Sequence, residues 1–164
     1  MEVYASRFTV PEQEPPRAAA LIETAISGLE RLSPLVDLLI RIVVATVFFK
    51  SGLSKIDSWD TTLLLFENEY AVPLLPSEIA AYVGTAVELA MPVLLVLGLG
   101  TRAAAAVTFV FNIIAVLSYP DLGEAGLRDH QYWGIFLLVI LLHGPGSLSI
   151  DHFIRRRLFG RKNA

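Results

Sequence analysis

Four polar side chains stand inside otherwise apolar stretches of the chain: Arg41, Lys50, Glu88 and Asn112. Glu88 lies near the middle of the run Glu78 to Leu99, whose roughly 22 residues at about 1.5 Å each reach some 33 Å, enough to cross a hydrocarbon core of about 30 Å. An acid at that depth costs about 2.5–3.5 kcal/mol on insertion scales, so it faces the protein interior and takes a partner. Two chemistries suit such a group. It can hold a ligand or a proton, or it can pin a kinked helix to a basic residue. Pro92, four residues on, conflicts with the carbonyl of Glu88 and loosens the helix where the carboxylate projects. Ala81, Gly84, Thr85, Met91 and Leu95 share that face, and its small members let a neighbouring helix come close.

The other three residues are candidates for completing a ligand or proton site with Glu88. Arg41 sits four residues after Asp37, the spacing of a helical ion pair, and the alternative is that it reaches inward to Glu88. Lys50 either joins this polar layer or snorkels to the membrane surface. Asn112 lies about ten residues beyond the turn at Gly98-Leu99-Gly100, as Glu88 lies about ten before it, so a Glu88–Asn112 contact at equal depth is expected. A second candidate group, Asp129, His130 and Trp133, stands at the mouth of the last long helix. A His–Asp pair there serves as a proton relay or ligand, or as a solvated cap.

Composition narrows the remaining chemistry. The chain has 164 residues, 54% hydrophobic and 18% charged, with a mean hydropathy of +0.59, which marks a membrane protein. It has no cysteine, so thiol–disulfide exchange and thiolate-bound iron–sulfur clusters are excluded. The histidines are His130, His143 and His152; the first two are about 20 Å apart along one helix and cannot share a haem iron. No metal-ligand spacing, phosphate loop or nucleophile triad is present, so no metal and no intrinsic cofactor are expected, and a quinone headgroup is the candidate ligand. The net charge of -3 and the scattered basic residues leave no nucleic-acid footprint.

The elements that would position these groups follow from periodicity. Residues 1–33 lack the pattern of a cleaved signal and carry Leu21, Ala25, Leu29 and Leu32 at helical spacing, which predicts a short amphipathic helix on the cytoplasmic membrane surface. Ser33-Pro34 predicts the start of a first span to about Leu53. Trp59, Leu63, Phe66 and Tyr70 form one face of a further interfacial helix. Spans two and three are joined by the tight glycine turn, with Thr101 as the expected cap, and a fourth runs from near Glu124 to His143. The expected fold is therefore all-α, a four-helix transmembrane bundle with short amphipathic interfacial helices. Its domains would be a segment at 1–33, a membrane domain at 34–152 and a basic tail at 153–164. The basic tail and Arg102 on one side, against acidic loops on the other, place both termini in the cytoplasm.

Three motifs in order then resemble the DoxX family of small bacterial integral membrane proteins: Arg41 followed by Phe48-Phe49-Lys50-Ser51-Gly52-Leu53-Ser54-Lys55, Glu88 leading to Leu97-Gly98-Leu99-Gly100-Thr101-Arg102, and Gly144-Pro145-Gly146-Ser147-Leu148-Ser149-Ile150-Asp151. At the start of the fourth helix Asp129-His130-Gln131 stands where the family pattern has an Asn-Glu type pair. The resemblance implies a multi-pass protein of the bacterial inner membrane. It also implies relatives in thiosulfate–quinone oxidoreduction and in the maturation of periplasmic redox enzymes. The expected function is a membrane subunit or accessory of a quinone-linked redox system, itself non-catalytic where the reaction centre lies on a partner. Its partners would be the bilayer and a protein of that complex, or a second copy. The alternatives are a non-catalytic assembly or docking factor for a periplasmic redox or metal enzyme, and a proton-coupled small transporter.

Overall fold

The computed structural model describes residues 17–160. Among them are six helices and no strand: α1 (Arg17–Asp57), α2 (Trp59–Asn68), α3 (Ser77–Leu97), α4 (Thr101–Ser118), α5 (Gly123–His143) and α6 (Ile150–Phe159). The chain divides into two units between Leu32 and Ser33. In the first, helical from Arg17, the apolar side chains Leu21, Ile22, Leu29 and Leu32 are exposed. The expected helix start at Ser33-Pro34 is absent, because helical geometry continues through Pro34. Proline removes one backbone donor, and the bonds of its neighbours suffice to carry the helix past it.

Among the described residues three helices are long and apolar enough to cross a membrane: the stretch Leu21–Asp57, Ser77–Leu97 and Thr101–Ser118. Helix α5 has the length, about 31 Å for its 21 residues, but its first turns carry Glu124, Arg128, Asp129 and His130. Leucine, isoleucine and valine cover the outer faces, Leu39, Val93, Val110, Ile113 and Leu138 among them, and a helix apolar on every side belongs in lipid.

In the second unit, α1, α3, α4 and α5 share one apolar core. It is built from Val44, Ala45 and Phe48 of α1, Leu95 of α3, Ala104 and Ala105 of α4, and Leu137 and Ile140 of α5. Alanines at the α4 positions keep the helices close, as small residues do where lipid gives no hydrophobic drive to association. A smaller core lies under α2, where Phe66 packs on Ala80 and Ala81 with Trp59, Leu63 and Tyr70 around it. That is the aromatic face read from the spacing.

One end of the core is tied by a polar knot. Helix α3 stops in a Schellman turn: the Gly98 N–H donates to the Leu95 carbonyl at 3.2 Å and the Leu99 N–H to that of Leu94 at 3.0 Å, with Gly98 at φ +68°. The Arg41 guanidinium, 1% exposed, donates to the same Leu95 carbonyl at 3.2 Å and to that of Leu148 at 2.5 Å. A cation at a helix C-terminus meets carbonyls that have no partner within the helix. Asp151 closes the knot from α6. Its carboxylate accepts from the N–H groups of Gly100 and Thr101, both at 2.8 Å, and from the Thr101 hydroxyl at 2.9 Å. Thr101 was expected to cap α4 itself; instead Asp151 supplies the capping oxygens, because a carboxylate offers more lone pairs than one hydroxyl. Across the same end Arg102 donates to the Leu142 carbonyl at 3.3 Å, joining α4 to α5.

Two predictions follow from the knot. Gly98 and Gly100 both have left-handed backbones, but a Cβ on Gly98 would collide with the Arg41 guanidinium and Ser149, whereas one on Gly100 meets nothing within 4 Å. Gly100→Ala should therefore cost only the left-handed penalty of about 1–2 kcal/mol. Gly98→Ala should cost clearly more, read as a larger fall in melting temperature in detergent. The second concerns Asp151, whose carboxyl burial pushes up but whose hydrogen bonds from Thr101 and Gly100, with Arg155 nearby, hold below its ordinary value. A depressed carboxyl stabilises the fold above its unfolded pKa, and that contribution is lost as pH falls through the folded value. Asp151→Asn should lower the melting temperature at pH 7, and the gap from wild type should narrow as the pH is taken below about 4.

Candidate functional site

At the far end of the core from the knot, α1 crosses α3 closely. A Cβ on Gly52 would lie 2.8 Å from Leu89 Cδ2 and 3.1 Å from Glu88 Cβ, so only glycine permits this approach without displacing the Leu89 side chain. The crossing brings Ser51 and Lys55, four apart on one face of α1, against Glu88. The Lys55 ammonium lies 2.8 Å from Glu88 Oε2, 3.0 Å from Oε1 and 2.9 Å from Ser51 Oγ, while the Ser51 hydroxyl donates to Oε1 at 3.0 Å. Both ionic side chains are largely shielded, 13% and 6% exposed. Helix α2 adds to the same corner through the Thr62 hydroxyl, which donates to the Lys55 carbonyl at 2.9 Å.

This pair forms one wall of a cavity of about 300 Å³ whose other walls are mainly aromatic and aliphatic. Phe48, Phe111 and Trp133 meet edge-to-face on one side, with ring centroids 6.2 and 5.8 Å apart. Phe66, Tyr70 and Tyr119 do so on another, at 4.9 and 5.2 Å. Burial pushes the Tyr70 phenol up, and Tyr119, Glu88 and Glu69 push it further, so its hydroxyl keeps its proton. His130 lines the cavity, its ring edge-to-face on Trp133 at 4.7 Å. Its Nδ1 is 2.8 Å from Asn112 Oδ1, and Asn112 Nδ2 donates to the His130 carbonyl at 3.0 Å. Ser118 is 3% exposed, lines the cavity and has a hydroxyl with no hydrogen-bond partner.

The expected residues separate into three places. Glu88, His130 and Trp133 come together on the cavity, and Asn112 stands behind His130 as its partner. Arg41 does not reach Glu88, since it lies about 15 Å along α1 from Ser51, beyond the length of its side chain. Nor does it pair with Asp37, which faces His143 at 3.6 Å. The expected Glu88–Asn112 contact is absent because each group has a nearer partner. Lys50 is exposed, and Asp129 is exposed without a hydrogen bond to His130. The partner missed in the sequence is Lys55. The signal for it was the Ser51-Gly52-Lys55 pattern, in which a glycine beside a serine and a lysine four later marks both the close approach and the face that makes it.

Removing one member of the pair leaves the other charge buried and unmatched, which costs about 3–5 kcal/mol. Lys55→Met and Glu88→Gln should each destabilise strongly, and the double variant should recover much of the loss. A double-mutant cycle on thermal unfolding in detergent measures the coupling.

The geometry can be set beside known proteins. The DoxX family profile matches residues 36–120. An uncharacterized protein of Haemophilus influenzae is 29% identical over 128 residues, covering 73% of this chain and 83% of its own. A Bacillus subtilis protein named "Putative oxidoreductase CatD" is 34% identical over 134 residues, 77% of this chain and 90% of its own. No solved structure matches the chain. The matched stretch holds Arg41, Ser51, Lys55, Glu88 and Asn112 in one profile and contains two of the three membrane-length helices whole; the chain belongs to the DoxX family.

Proposed function

We propose that this protein is a multi-pass component of the bacterial inner membrane that takes a quinone-type headgroup into its cavity and serves a redox system. The observation that carries this reading is the cavity itself. It is about 300 Å³, walled by aromatic rings, and its one charged feature is a pair of net zero charge. That volume is at the lower end for small-molecule sites, and such walls favour a flat, neutral, apolar ligand with a few polar atoms. A ligand that partitions into the bilayer meets that description. The oxidoreductase name of the Bacillus subtilis relative agrees with it.

In this reading α5 is the fourth span, with its polar first turns at the membrane face near the cavity and both termini in the cytoplasm. The orientation is supported by Arg102, Arg155, Arg156 and Arg157 at the knotted end, against Asp57, Asp60, Glu67, Glu69, Asp121 and Glu124 near the cavity end. The aromatic rings would stack on the headgroup, while His130 and Ser118 would face its polar edge. When bound, the quinone supplies the electron-accepting chemistry, which side chains lacking thiols do not. A protein partner, or a second copy, would carry the enzyme centre that exchanges electrons with it.

A short-tailed ubiquinone analogue, supplied in both its oxidised and its reduced form, tests the reading. Dialysed against protein in lipid nanodiscs, it should bind near one per chain over the empty-disc background. Ala115→Phe, which puts a ring into the cavity from α4 and leaves Lys55, Glu88 and His130 unsubstituted, should weaken binding at least ten-fold. Equal uptake by empty discs, or full binding by Ala115→Phe, contradicts the assignment.

A further inference from the structure

At the His130 end of the cavity the free polar atom is an acceptor, and Asn112 decides this. A carbonyl oxygen only accepts, so the Asn112 atom 3.0 Å from the His130 carbonyl must be the amide nitrogen. That turns Asn112 Oδ1 toward the ring, 2.8 Å from Nδ1. Oδ1 also only accepts, so Nδ1 carries the hydrogen. In the neutral imidazole Nε2 is then a bare acceptor, and no described residue donates to it. On the Lys55–Glu88 wall the donors are already used, and the Tyr70 and Tyr119 phenols, which also line the cavity, are left to donate to the headgroup's other oxygen. The Lys55 ammonium faces three oxygens within 3.0 Å, and the Ser51 hydroxyl is committed to Glu88. Ser118 Oγ, buried and without a partner, can act in either sense.

Resting on the quinone-type assignment, we infer that the cavity selects the reduced, hydroxyl-bearing form of an aromatic headgroup, whose O–H donates to His130 Nε2 with Ser118 Oγ as a second contact. A quinone carbonyl at that position sets a lone pair against a lone pair, and an O-methyl group has no hydrogen to give. Either leaves Nε2 unpaired in an apolar site, the situation that polar sites reject most strongly. Tighter binding of the reduced form also raises the potential of the bound couple, by about 30 mV for each ten-fold preference in a two-electron couple.

The test uses the full chain in nanodiscs under anaerobic conditions. Three radiolabelled probes are dialysed against it: trimethylhydroquinone, its 1,4-dimethyl ether, and trimethylbenzoquinone. The hydroquinone should bind at least ten-fold more tightly than the other two, and His130→Phe should erase the difference. Because His130 also holds Asn112, that variant can lose its fold. Nitrogen-15 NMR of histidine-labelled wild-type protein gives a readout without mutation: Nδ1 should be protonated and Nε2 bare in the neutral ring, with the Nε2 resonance moving when hydroquinone is added. Three probes bound equally, or a neutral ring protonated at Nε2, overturns this inference and leaves the quinone-type site standing. No binding of any probe overturns both.

Discussion

A carboxylate placed in the middle of an apolar helix dictates much of what surrounds it. Glu88 cannot face lipid, and a neutralising cation must come to it on another helix. Lys55 does so, and for its ammonium to arrive the backbone of α1 has to touch α3, which is what Gly52 allows. The same contact sets the character of the cavity. With the two charges cancelling and Ser51 consuming a further acceptor site, the chamber beside them is neutral, and the other polar groups on its walls are those of His130, Ser118, Tyr70 and Tyr119.

The two polar centres divide the labour along the bundle. Arg41 and Lys55 stand fourteen residues apart on α1, about 21 Å. At the first, every arginine contact is to a backbone carbonyl, and Asp151 binds backbone amides across the same end. Such contacts fix helix ends and offer nothing to a ligand. At the second, side chains meet side chains around a space large enough to be filled. Two buried cations in one helix thus have different tasks, one architectural and one bordering a site.

Much of this was readable in the residues. Periodicity and length located α2 to α5 and the glycine turn, and the cost of a buried charge singled out Glu88. The rotation of one helix against another was not readable, and it decides which lysine faces inward. Lys50 and Lys55 are five residues apart, about 140° around a helix, so choosing between them requires knowing which face of α1 meets α3. The same limit hid the pairing of Asn112 with His130, since equal depth does not establish adjacency. Pro34 shows the converse. A local signal strong enough to start a helix was overridden by its neighbours' hydrogen bonds. Asp151 lies fifty residues from the turn it caps, a distance no local pattern spans.

The central claim is that the cavity beside Glu88 holds a neutral aromatic molecule drawn from the membrane. Native mass spectrometry of the protein, extracted from its own membrane in mild detergent, measures this without choosing the ligand beforehand. The account predicts one bound quinone-type molecule per chain, retained when phospholipids are stripped by collisional activation. A chain that carries only phospholipid, or sheds every small molecule under the same activation, contradicts it.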